Sequence, residues 1–517
     1  MALDPRTPVV VGAGQITNRP DPSIAVGTRP DPVALMAQAL RAAAEDCDGA
    51  PPGGLAPAGR RLLERAGSMR LMGILTWRIP NPGLAVAAAL GIEPAEQLLT
   101  AVGGNMPQTL LHDTARAIAR GDLDVALITG AECAYTQHAA RRAAGGTALH
   151  WPTQAEGSTP APTPFGTDRS PVTDQEAARG ILLPIHAYPL LENALRGANG
   201  WTLEEHRDRF GGLWSRFSEV AAKNPYAWFR EARTAEEITA PGPQNRPVAF
   251  PYQKLCTANL QVDQSAALIC CSVEAARAAG VPEDRWVFPL AGADAHDHWF
   301  LSERAELHRS PAIRHAGRTA LSLAGVGIDD IGPVDLYSCF PCAVQISAPE
   351  LGLPLDDPGR PLTITGGLTF AGGPGNNYTT HGIATMVGRL REAPGTVGLV
   401  TGLGWYATKH AVGVYASRPP AHDGRDGFRW EDVQAAVDAE PSCPVDAAAS
   451  GPVTVETYTV VYGREGVPER GIAACRTPAG ARTWATIDDR DAMGELTTTE
   501  GIGRSGTLDA AGVLTLA

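Results

Sequence analysis

Residues 97 to 132, "QLLTAVGGNMPQTLLHDTARAIARGDLDVALITGAE", run as strand, glycine turn, helix, short loop and strand. No other stretch constrains the fold as much. Strands joined through a helix lie parallel, and a parallel sheet needs cover on both faces. The "VALITGAE" run is short and mostly apolar, as a strand covered on both sides must be. The alternation starts earlier, with "PVVVGAG" as a strand and "DPVALMAQALRAAAEDC" as a helix with Asp31 at its cap and Pro32 in its first turn. It resumes at "LCTANLQVDQSAALICCSVEAARAAG" and continues to "HAVGVYASRP". An α/β fold follows.

Between the two α/β halves the character changes. "HWPTQAEGSTPAPTPFGTDRSPVTD" is a loop by its Pro, Thr and Ser content, and helices are predicted around "HAYPLLENALRGANG" and "EEHRDRFGGLWSRFSEVAAKNP". "ASRPPAHDGRDG" has the composition of a linker, and "WEDVQAAVDAE" reads as one helix. Beyond it, short alternating runs such as "VTVETYTVVYG" and "RTWATIDD" predict a small antiparallel barrel or sandwich. The expected division is an N-terminal half over 1–135, a loop domain over 136–255, a C-terminal half over 256–418, a linker and helix over 419–449, and a small β-barrel over 450–517.

The formal net charge of −13 leaves no overall basic footprint for nucleic acid. No run approaches the roughly 18 apolar residues of a membrane span. The N-terminal stretch "MALDPRTPVVVGAGQITNRPD" lacks the basic region and long apolar core of a secretory signal. Nine scattered cysteines fit reduced thiols better than a disulfide framework, so the expected location is the cytoplasm. No second cysteine pair stands at zinc-finger spacing, and no metal site is expected. "VGAGQI" fails the dinucleotide fingerprint for want of a glycine at Ile16, and "GGPGNN" lacks the Gly-Lys-Ser/Thr ending of a P-loop.

Four segments, in order, resemble the thiolase superfamily and within it the sterol-carrier-type thiolases and their thiolase-like, acetyl-CoA acetyltransferase-related relatives. "GDLDVALITGAE" is similar to the family's Gly-x-x-Asp-Val-x-x-x-Gly-x-Glu run, and "VDQSAALI" to its Asp-Gly-Ala-Ala segment opening the second half. "VDLYSCFPCAVQ" resembles its Asn-Glu-Ala-Phe or His-Asp-Cys-Phe loop, and "ITGGLTFAGGPGNN" its Gly-Gly-x-x-x-x-Gly-His-Pro loop. The resemblance spans about residues 5 to 418. It implies two βαβαβαββ halves in a five-layer αβαβα sandwich, with the middle insertion as a loop domain over an acyl-CoA site. The tail resembles, over roughly residues 450 to 517, the small OB-like barrels associated with some thiolase-related proteins.

The family's chemistry needs a cysteine with a lowered pKa, a base, a second cysteine and an oxyanion pocket. At each implied position this chain differs. The nucleophile turn is Gly103-Gly104-Asn105-Met106. Tyr337 and Ser338 head the third motif, Gly373 stands for the Gly-His-Pro histidine, and Leu403 falls near the second cysteine. Losing a covalent nucleophile costs about 10⁶ in rate, and losing one oxyanion donor about 10² to 10³. Two groups are candidates to take over: His381 on the helix after the glycine loop, and Cys342 in "CFPC", at a predicted helix N-terminus. Asn105, Met106, Ser338, Cys339, Phe340, Asn376, Tyr378 and Gly404 are expected to line the cavity.

The resemblance therefore implies a thiolase-like protein that retains an acyl-CoA-shaped cavity without thiolysis or Claisen condensation. It requires no cofactor, and coenzyme A or an acyl-CoA is the implied ligand. Two alternatives stand beside it: an acyltransferase using Cys342 or His381, and a non-catalytic interaction module whose C-terminal barrel docks a protein. The family's dimer pairs strands near "QLLTAV", so both a monomer and a homodimer are open.

Overall fold

The computed structural model describes residues 3–19, 21, 23–49, 57–143, 145–420 and 428–517. Residues 421–427 of the expected linker lie outside them. The first half follows the βαβαβαββ order: strand Pro8–Thr17, helix Pro32–Cys47, strand Ser68–Leu71, helix Pro82–Leu90, strand Glu96–Thr100, helix Met106–Arg120, then strands Val125–Cys133 and Asp263–Ser272. In its sheet Asp263–Ser272 lies antiparallel between Pro8–Thr17 and Val125–Cys133, and Ser68–Leu71 and Glu96–Thr100 continue in parallel. This corrects the expected boundary at 256. The strand read as opening the second half closes the first, and the loop domain is inserted just before that closing strand.

The second half repeats the plan with strands Phe288–His296, Ile331–Asp335, Val397–Gly404 and Lys409–Ala416 and helices Pro311–Ala324, Pro341–Leu351 and Tyr378–Glu392. Its third strand is not formed. Residues 362–366 run as irregular backbone pinned by the buried Asp335 carboxylate, which accepts from Thr363 Oγ1 (2.8 Å), Ile364 N (3.0 Å) and Thr365 Oγ1 (3.0 Å).

Helices Met106–Arg120 and Tyr378–Glu392 pack on both sheets and form the middle layer. Pro32–Cys47 covers the outer face of the first sheet and Pro311–Ala324 that of the second, which completes five layers. Every residue of Val125–Cys133 and Asp263–Ser272 is buried, as strands with helices on both faces require. Both middle helices begin beside the same point, and that point is where the site must be.

The segment expected as one helix at "WEDVQAAVDAE" divides in two. Arg429–Asp432 is a strand that joins the second sheet parallel to Phe288–His296, and only Gln434–Asp438 is helical. The C-terminal part is an antiparallel sheet ordered Arg482–Ile487, Pro468–Arg476, Gly451–Tyr462, Ser505–Leu508, Leu514–Leu516, with one helix, Arg490–Leu496. A single bridge between Thr486 and Val513 draws its edges together without a closing ladder. The loop domain contributes strand Pro247–Ala249 to this sheet through the pair Val461–Ala249.

Candidate functional site

The turn at Gly103, Gly104 and Asn105 precedes a 15-residue helix, so its unpaired N–H groups give the site a positive end. Three segments hold it. Asn376 accepts from Gly103 N (2.8 Å) and donates to Gly73 O (2.7 Å), which ties the glycine-rich loop to the turn. Thr379, at the start of the second middle helix, donates to Gly104 O (2.6 Å). The Gly402, Leu403, Gly404 backbone lies flat against the turn, and a Cβ at Gly402 would stand 2.9 Å from Asn105 Cα.

The space beside the turn, where the resemblance implies a nucleophile, is filled by other groups. A Cβ at Gly104 would overlap Tyr337 Oη and lie 2.5 Å from Tyr337 Cζ and 2.6 Å from Leu403 O. A Cβ at Gly103 would stand 2.5 Å from Asn105 Oδ1 and 2.7 Å from Lys409 Nζ. The Tyr337 ring is fixed from below by a T-shaped contact with Tyr378 at 5.3 Å, and its backbone N donates to Thr401 Oγ1 (2.9 Å). Tyr378 spends its own hydroxyl on Thr365 Oγ1 (2.6 Å) and Asp335 (3.3 Å).

Gly103, Gly104, Asn105, Tyr337, Leu403, Gly404 and Asn376 therefore converge. The others sit apart. A Cβ at Gly373 would face Asn259 O, Leu260 and Leu368, each at 3.5 Å, and not the turn. His381 lies on the far side of its helix, its Nδ1 2.9 Å from Gln15 Oε1. Burial lowers its pKa to about 3, so the imidazole is neutral. Cys342 is fully buried with its Sγ against Tyr188 O (3.4 Å), and burial pushes its thiol well above the ordinary value. Cys339 rises to about 12 for the same reason. Phe340 between them stacks on Tyr188 (4.4 Å) and Tyr252 (5.6 Å). Ser338 is buried, with its Oγ 2.6 Å from the position of a Cβ at Gly367. Met106 is buried in the core with its Sδ 3.0 Å from a Cβ at Gly166.

A cavity of about 10 Å³, partly open, lies beside Gln15, Gln264, Tyr378 and His381. A second of the same size lies beneath Leu403 and His410. Both fall below the roughly 300–1,000 Å³ of small-molecule pockets. Among the described residues no group of acidic, histidine and cysteine side chains could hold a metal ion, and no helix is long and apolar enough to cross a membrane.

Lys409 is the residue that sequence reasoning missed. Of the 43 basic residues only Lys223, Lys254 and Lys409 are lysines, and that scarcity was the available signal. Lys409 is 7% exposed, and its Nζ donates to Val102 O (2.6 Å). Burial lowers its pKa to about 8, against a smaller upward pull from Asp168.

Over its whole length the chain is similar to a monomeric SCP2-thiolase like protein type 1 from Mycobacterium smegmatis, with 33% identity, all of both chains covered and a TM-score of 0.81. Residues 432–512 match the family described as the thiolase-like protein type 1 additional C-terminal domain. The dimeric peroxisomal thiolase of Saccharomyces cerevisiae shares 13% identity over 81% of this chain and 99% of its own, with a TM-score of 0.55. A thiolase of Ascaris suum, in complex with coenzyme A, shares 14% over 79% and 99%, with a TM-score of 0.54. At such identities the likeness is one of fold. None of the curated proteins matches the sequence significantly.

Proposed function

The chain belongs to the type 1 SCP2-thiolase-like proteins, and from that premise we propose that it binds an acyl-CoA or a related thioester without thiolysis or Claisen condensation. The observation that carries this reading is the occupied nucleophile space: Tyr337 Oη and Lys409 Nζ stand where the side chain of a cysteine at the turn would go. The thioester part draws on the shared scaffold, which in the Ascaris thiolase holds coenzyme A. Acyl transfer through Cys342 or His381 is disfavoured, because both face away from the turn, one as a protonated thiol and the other committed to Gln15.

Two measurements test the reading. Thiolysis of acetoacetyl-CoA is expected to stay at background, and turnover typical of thiolases would refute it. In a thermal-shift or calorimetric series of acyl-CoAs, a ligand at 100 times its Kd is expected to add about 2.7 kcal/mol of stability. A flat response across all chain lengths would remove the thioester half of the reading.

The chain is further proposed to be a monomer. The outer edge of Glu96–Thr100 is taken by its own strand Thr163–Phe165, in register Leu98–Thr163, Leu99–Pro164 and Thr100–Phe165. A paired edge offers no backbone groups to a second chain. The Mycobacterium smegmatis relative is described as monomeric. Sedimentation is expected to give one protomer at micromolar concentration, and a stable dimer there would contradict the assignment.

A further inference from the structure

We propose that Lys409 is an amine nucleophile seated in the space of the missing cysteine, and that acyl thioesters acylate it. The inference rests on the thioester reading above for its substrate class, and on independent geometry for its nucleophile. Lys409 Nζ lies 2.7 Å from the Cβ position at Gly103, within reach of the point where a cysteine sulfur at the helix N-terminus would stand. The Oδ1 of Asn105, nine-tenths buried and without a hydrogen-bond partner among the described residues, converges on the same Cβ position at 2.5 Å. Among the described residues no carboxylate forms an ion pair with Lys409, and its Nζ donates to Val102 O alone.

The chain around it is built under strain. Trp405 and Ala407, in the turn that leads into Lys409, are the two non-glycine residues with positive φ among the described residues, at 58° and 51°. Such conformations cost about 1–3 kcal/mol each and persist where surrounding structure imposes them. Trp405 also holds its Nε1 buried without a partner, and its ring lies 5.6 Å from Lys409 Nζ. Val102 and Trp405 are half-buried, so the amine lies one side chain below the surface. The positive end of helix Met106–Arg120 disfavours the ammonium and favours a developing oxyanion.

In the step, the neutral Nζ attacks the thioester carbonyl carbon. The C–N bond forms and the C–S bond breaks. The proton shed by nitrogen passes to the departing thiolate, which leaves an Nε-acyl-lysine and a free thiol. The reaction is a single event per chain, because the amide formed is stable in water.

The two exposed lysines, Lys223 and Lys254, are internal controls, so the wild-type chain suffices. The protein is incubated at pH 7.5 with acetyl-CoA or with S-acetyl-N-acetylcysteamine, digested and mapped by mass. Lys409 is expected to gain an acetyl group about 10-fold faster than Lys223 or Lys254, because a desolvated lysine amine is the activated nucleophile. Selective labelling by both probes supports the proposal and the thioester reading together. Selective labelling by the small thioester alone supports Lys409 and counts against coenzyme A recognition. No preference for Lys409 with either probe overturns the proposal, while the acyl-CoA thermal series still decides binding.

Discussion

A Gly104→Cys variant is expected to carry a thiol at the nucleophile turn, lose stability and still show no thiolysis. The stability loss comes from the Tyr337 ring. A Cβ at residue 104 overlaps its Oη and lies 2.6 Å from Leu403 O, a rigid backbone atom. Overpacking of this kind costs about 1–3 kcal/mol. The absent activity comes from the rest of the site. His381 faces Gln15 and a side chain at Gly373 would face Leu260, so neither position offers an imidazole base to the new thiol. A functioning nucleophile is worth about 10⁶ in rate, so even partial restoration would be plain. Tyr337→Ala removes the obstacle at the cost of a cavity. The double variant should therefore be more stable than the two single losses sum to, by at least about 1 kcal/mol. Chemical denaturation of the four proteins measures that coupling. A Gly104→Cys chain as stable as wild type would mean that the ring does not occupy the nucleophile space.

This site was half legible in the sequence. Glycine at positions 103 and 104 can be read directly, and so can Tyr337. That the tyrosine fills the space left by the glycines cannot, because the two lie more than 200 residues apart and meet only across the two halves. Position 373 was assigned by its place in a motif, but a motif does not say where Cβ points. Three residues further on, Asn376 is the one that reaches the turn. Lys409 stands just before the "HAVGVYASRP" strand and belongs to no motif. Its inward reach depends on a tight turn through Trp405 and Ala407 with positive φ, which non-glycine residues do not advertise. The fold was more legible, since strand and helix periods are local. The placing of Asp263–Ser272 escaped sequence reading because the inserted loop domain separates that strand from the sheet it completes.

Arg482→Met is expected to cost about 3–5 kcal/mol, the usual penalty for removing one partner of a buried charge network. Arg482 is fully buried on the C-terminal sheet. Its Nε and Nη2 meet both oxygens of Glu456 (2.7 and 2.6 Å), while its Nη1 donates to Leu301 O (3.0 Å), Ser302 O (3.1 Å) and Arg304 O. The C-terminal sheet is thus clamped to residues 301–304 of the second α/β half. Burial pushes the Glu456 carboxyl up, but Arg482 and Arg476 outweigh burial and hold it below its ordinary value. That stability is present above the ordinary glutamate range and is lost as pH falls through the lowered value. Methionine at 482 should therefore flatten the acid limb of the stability profile as well as lower the plateau. The clamp also continues inward. Arg304 donates to Tyr406 O (2.9 Å) and Thr408 Oγ1 (2.9 Å), the turn that aims Lys409. Denaturant unfolding from pH 4 to 8, with limited proteolysis, measures both effects. If the variant stays within about 1 kcal/mol of wild type, the guanidinium is not what joins the C-terminal sheet to the site.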